Sequence, residues 1–89
     1  MARNFVKDPD AVLDYEWDWA AWLGADTIAS HTVTAEAGLT VDSSEATTTA
    51  VTAWLSGGSV GQSYPVTCHV VTAAGREDDR TVTITVQER

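Results

Sequence analysis

Apolar and polar residues alternate along most of this chain. Near its end, "RTVTITVQ" sets Val82, Ile84 and Val86 on one face and Thr81, Thr83 and Thr85 on the other. Period two with β-branched residues is the pattern of a half-buried strand. Just upstream, "SYPVTCHVVT" aligns Tyr64, Val66, Cys68 and Val70. Pro65 has no N–H for a ladder, so it belongs at a strand start or an edge. The link "AAGREDD" offers Gly75 for a tight turn and a charged tip, which predicts an antiparallel hairpin. Further upstream, "ATTTAVTAWL" predicts a Thr-rich strand closed by the glycines of "SGGSVG". "GLTVD" predicts a short strand after a turn at Gly38. "DTIASHTVTAEAG" predicts a longer one, whose imperfect alternation leaves room for a bulge. No window sustains an apolar period of 3.6, so a single helical turn at "AAWLG" is the most helix expected.

Several short strands separated by Gly-rich turns point to an all-β sandwich. The closing hairpin resembles the last hairpin of bacterial immunoglobulin-like domains, with Tyr64 placed where a tyrosine-corner residue would stand. The expected fold is an immunoglobulin-like antiparallel β-sandwich of about seven short strands over residues 13–89. Residues 1–12 are expected to be an extended N-terminal arm, docked on a partner because termini fray unless tied down.

The run "DYEWDWAAW" holds three of the four tryptophans. On a strand, Tyr15, Trp17 and Trp19 share one face, and Glu16 and Asp18 the other. Such segregation favours a core role, since large aromatics are mostly buried. The alternative is an aromatic platform for a sugar or a protein, for which Trp22 and Trp54 are the better candidates. Trp54 shares its strand face with Thr52 and Ala50, and Val51, Ala53 and Leu55 occupy the opposite one. Either face could meet a neighbour.

Composition narrows the function. The 89 residues make one domain, and the net charge is -8. Phosphate backbones and anionic membrane surfaces both attract basic stripes. Here the five basic residues, Arg3, Lys7, Arg76, Arg80 and Arg89, lie near the two ends among acids. Direct nucleic-acid and membrane partners are therefore not expected. The start shows no apolar leader segment. Between Thr27 and Gly75 there is no Lys or Arg. That fits a protein held among neighbours, and equally a sheet solvated by threonine hydroxyls.

Candidate chemistry is sparse. Asp8, Asp10 and Asp14 suggest a calcium loop, but an EF-hand starting at Asp8 would need Gly and Glu where Leu13 and Trp19 stand. The expectation is a solvated, turn-forming Asp8-Pro9-Asp10. Cys68 and His69 point to opposite strand faces, and no paired Cys or His spacing suggests a metal. Cys68 aligns with Val66 and Val70 and reads as a core residue. No catalytic motif, cofactor site or metal site is expected.

Read in order, "KDPDAVLDY", "DW", "WLGADTIAS", "AGLTVDSS", "WLSGG" and "TAAGREDDRTVTITV" resemble a family of small tailed-bacteriophage proteins of the fibre–tail adaptor type. The resemblance runs from Lys7 to Arg89. Its most specific parts are "KDPDAVLDY", "WLSGG" and the set Gly75, Arg76, Asp79 and Arg80. It implies an immunoglobulin-like structural protein of a virion assembled in the host bacterial cytoplasm. The implied partners are other virion proteins of the tail, neck, fibre or major capsid shell, with the chain itself in a homo-oligomeric ring or symmetric array. The resemblance brings no catalytic residue. The contact residues expected are Phe5 and Lys7 of the arm, Trp22, Trp54, Arg76 and Arg80. Alternatives are a head decoration protein on the capsid shell and a carbohydrate-binding adhesion module.

Overall fold

The computed structural model describes residues 3–88, the side chains of residues 3–5 excepted. Among these residues run seven strands and one short helix. They are β1 (Arg3–Lys7), β2 (Leu13–Asp18), α1 (Ala20–Leu23), β3 (Ile28–Ala35), β4 (Leu39–Ala46), β5 (Ala50–Gly57), β6 (Ser63–Thr72) and β7 (Glu77–Val86). They form a four-stranded sheet in the order β1-β7-β6-β3 and a three-stranded sheet in the order β2-β5-β4. Lettered in chain order, these are A-G-F-C and B-E-D. That is the two-sheet division of the immunoglobulin sandwich, with the first strand carried to the edge beyond G.

The predicted alternation decides what lies between the sheets. Val51, Ala53 and Leu55 of β5, Tyr64, Val66, Cys68 and Val70 of β6, and Val82, Ile84 and Val86 of β7 are all buried. Their polar neighbours on the same strands face outward, as period two requires. The predicted bulge is present in β3, between Ile28 and Ser30, and a second lies in β4 between Val41 and Ser43.

Three elements differ from expectation. The stretch set apart as an arm contains β1, which pairs parallel with β7 from Arg3 opposite Val82 to Lys7 opposite Val86. The other strand pairs are antiparallel. "RNFVK" has no alternation strong enough to announce a strand, but the far edge of β7 offers unpaired backbone groups that an extended segment satisfies. Next, β7 begins at Glu77, so the charged tip joins the ladder, with Glu77 opposite Val71 and Asp79 opposite His69. Lastly, β4 runs on through "SSEA" to Ala46 because β5 offers it a partner as far as Val51.

Tyr64 closes one end of the core. Its hydroxyl accepts a hydrogen bond from the Ser59 N–H, five residues upstream, at 2.8 Å. This is the geometry of a tyrosine corner. Gly58, at φ +91°, makes room for it: a Cβ there would stand 2.6 Å from Val86 Cγ2 and 3.2 Å from Tyr64 Cε2.

Candidate functional site

The opening tryptophans are core. Trp17 is 2 % exposed and Trp19 is fully buried. Tyr15 is half-buried and meets Trp17 edge-on at 4.7 Å between ring centroids. The shared face ends sooner than the alternation suggests, because β2 stops at Asp18 and Trp19 precedes the α1 turn. Trp19 is held there by its N–H, which donates to the Thr49 carbonyl at 2.9 Å. Its ring packs at 5.3 Å from the half-buried Trp22. Among the described residues, the buried indole nitrogens of Trp17 and Trp19 have no hydrogen-bond partner.

Arg76 and Arg80, expected to reach a partner, are engaged within the chain. The Arg76 guanidinium lies over the Trp22 ring, 4.5 Å from its centroid. Its Nη atoms donate to the Trp22 carbonyl at 3.3 Å and the Leu23 carbonyl at 2.8 Å. These are end carbonyls of α1, which have no partner within the helix. Its Nε donates to Asp26 Oδ2 at 3.1 Å. Arg80 lies 4.2 Å from the Trp19 ring centroid and donates to the Asp18 carbonyl at 2.8 Å. The two arginines thus clamp the β2–α1 corner onto the β6–β7 hairpin.

Asp26 completes the clamp, although nothing in the sequence singles it out. Besides Arg76, it accepts from the Thr27 N–H at 2.8 Å and the Ala74 N–H at 3.2 Å. The Thr72 hydroxyl leads the donors that hold its carboxyl down at about 2, against the raising effect of burial.

Lys7 also turns inward. It is 1 % exposed, and its ammonium donates to the Asp8 carbonyl at 2.8 Å and the Gly57 carbonyl at 2.9 Å. A lysine can bury its methylene stem while its head finds oxygens, and here it ties β1 to the end of β5. It therefore presents no surface to a partner. Phe5 pairs through its backbone with Ile84, and its side chain lies outside the described residues.

Trp54 behaves differently from the other tryptophans. The burial of Val51, Ala53 and Leu55 turns the Trp54 face outward. The half-buried ring is not packed on the core. Asp14 of β2 stands opposite it on one side and Ser43 of β4 on the other. One pair along, Thr52 lies between Glu16 and Glu45. Asp18 pairs with Ala50, and Asp42 accepts from the Ser56 hydroxyl at 2.8 Å. The outer face of the three-stranded sheet thus sets Trp54 between four carboxylates, Asp14 and Glu16 of β2 and Asp42 and Glu45 of β4, with Asp18 at the α1 end, where its carboxylate accepts the Ala20 N–H at 3.0 Å. Lys7, Arg76 and Arg80, the described basic side chains, are all committed elsewhere.

The remaining candidates are structural. Cys68 is fully buried, and burial pushes its thiol up to about 11. His69 bridges two carboxylates of β7, through Nδ1 to Asp79 and through Nε2 to Glu77 at 3.0 Å. Asp79 first, then Glu77, hold the ring's pKa above its ordinary 6.5. His31 meets the Ser44 hydroxyl at 3.1 Å. The Asp8 carboxylate accepts the Asp10 N–H at 2.9 Å, which is the turn the sequence suggested. A cleft of about 590 Å³ opens between residues 15–18 of β2 and residues 80–82 of β7. It lies beside the half of β7 that β1 leaves uncovered.

Comparison with known proteins turns this arrangement into an identity. Residues 7–85 match the family model described as podophage GP4 fiber-tail adaptor protein gp77. The chain belongs to that family. The matched span begins at Lys7, the last residue of β1, and ends one residue before the close of β7, so it covers β2 to β6 entirely. No curated protein matches the chain. As a fiber-tail adaptor family member, the chain is a structural protein of a bacteriophage and a component of its virion.

Proposed function

We propose that this chain works by attachment alone: an immunoglobulin-like sandwich seated between tail and fibre proteins, with no reaction of its own. The observation that carries this reading is the family match, which runs from β2 to within one residue of the end of β7 rather than resting on one motif. The internal use of Lys7, Arg76 and Arg80 supports it, because these residues stiffen the domain for a mechanical role. Contacts to other virion proteins fall to the surfaces left free, the Trp54 face above all. Trp22 and the edge strand that carries Phe5 are further contact regions. Copies follow the rotational symmetry of the tail.

Quantitative mass spectrometry of purified particles of the source phage tests this. A small copy number matching tail or neck symmetry is expected. A copy number scaling with the major capsid protein would replace the adaptor by a shell decoration protein. Absence from the particle would overturn the reading.

A further inference from the structure

We infer that the outer face of the β2-β5-β4 sheet is the docking face, and that its occupant is a basic segment of another virion protein which lays an arginine or lysine on the Trp54 ring. The inference rests on the attachment reading and adds the place and the chemistry of the contact.

The argument begins with the other tryptophans. Trp17 and Trp19 are buried, and Trp19 and Trp22 each carry an arginine of the chain on their rings. Trp54 is only half-buried, and among the described residues no arginine or lysine lies on its ring, although a tryptophan face is the best aromatic seat for a cation. It sits on β5, the central strand of its sheet, and binding anchors cluster near the centre of an interface.

Charge supplies the second argument. Asp14 and Glu16 of β2 and Asp42 and Glu45 of β4 flank Trp54 on the two neighbouring strands, while Arg80 sits at the far, Asp18 end of β2. Directly opposite residues of paired strands stand roughly 5 Å apart, so Glu16 and Glu45 flank Thr52 within about 10 Å of each other. Parallel carboxylates at that spacing repel one another, and a cationic partner relieves the repulsion. The other outer face differs in kind. There, Ser63 meets Thr85, Thr67 meets Thr81, and His69 already spans the two carboxylates nearest to it. An acidic or apolar occupant would not match the three-stranded face, and a carbohydrate would leave its charge uncompensated.

The test uses the full chain. Variants Glu16→Lys/Glu45→Lys and Trp54→Ala are supplied in trans to a phage lacking the gene, with Trp54→Phe and the opposite-face pair Ser63→Lys/Thr85→Lys as controls. Circular dichroism confirms that each variant is folded. Incorporation into particles is expected to fall about tenfold or more for the first two, and little for the controls. Incorporation of Glu16→Lys/Glu45→Lys at the wild-type level would overturn the docking face while leaving the virion role intact. Absence of the wild-type chain from particles would instead overturn the virion role. A titration of the wild-type chain with a nine-residue arginine–glycine peptide then reads the face directly. Amide shifts centred on Trp54 and abolished in Trp54→Ala support it. Shifts spread evenly over all acidic residues overturn it.

Discussion

Replacing Trp19 by alanine probes the joint between the core and the β2–α1 corner. Trp19 is fully buried, so the change removes a whole indole from the interior. Large-to-small changes of this kind cost about 3–5 kcal/mol. Two further losses follow from the geometry: the edge contact with Trp22 at 5.3 Å and the Arg80 guanidinium at 4.2 Å. Together they contribute about 1–2 kcal/mol. Against them stands the buried indole N–H without a partner, whose removal returns about 1–2 kcal/mol. The expected net loss is therefore about 3–5 kcal/mol. A domain of this size has a total stability of about 4–13 kcal/mol, so the variant stands near the edge of folding. Urea titration followed by far-UV circular dichroism measures the change, with a stabilising osmolyte added if the variant is partly unfolded in buffer. A slope of about 1 kcal/mol per molar urea turns the loss into a midpoint shift of about 3–5 M. A loss under about 1 kcal/mol would refute the assignment of Trp19 to the core and, with it, the role of Arg80 as a clamp.

Further outcomes can be checked on the same material. Gly58→Ala is expected to destabilise by about 1–3 kcal/mol through the clash with Val86 and the positive φ. Gly61→Ala, which meets nothing within 4 Å, should cost less in the same titration. The Cys68 thiol should resist a thiol reagent at pH 8 until the chain is unfolded, and prompt labelling of the folded protein would contradict its burial. Nuclear magnetic resonance titration should place the His69 midpoint above 6.5, and Asp79→Asn should bring it down. Since the folded value is raised, the stabilisation is complete below 6.5 and fades as pH rises through the folded midpoint. For Asp26 the sign is reversed: its contribution is present above the ordinary value of 3.8 and fades as pH falls toward about 2. Asp26→Asn should flatten that acid limb of stability against pH.

Alternation by itself determined the sheets' inward faces. Val82, Ile84 and Val86 could only share a side, and so could Val51, Ala53 and Leu55, because period two leaves a strand no other arrangement. The Tyr64 corner, the single turn at α1, the bulge in β3 and the core place of Cys68 were legible for similarly local reasons. The tertiary structure decided the rest. Whether Trp54 or Val51 faces water depends on which side of β5 the second sheet covers. "RNFVK" became a strand because β7 had a free edge, which lies 75 residues or more away along the chain. Lys7, Arg76 and Arg80 look like surface charges in a linear reading. Their partners are backbone carbonyls and tryptophan rings that only folding brings within reach. The carboxylates beside Trp54 likewise come from β2 and β4 and flank it only once both strands are in register with β5. Local pattern sets which way a side chain points, and long-range pairing sets what it meets there.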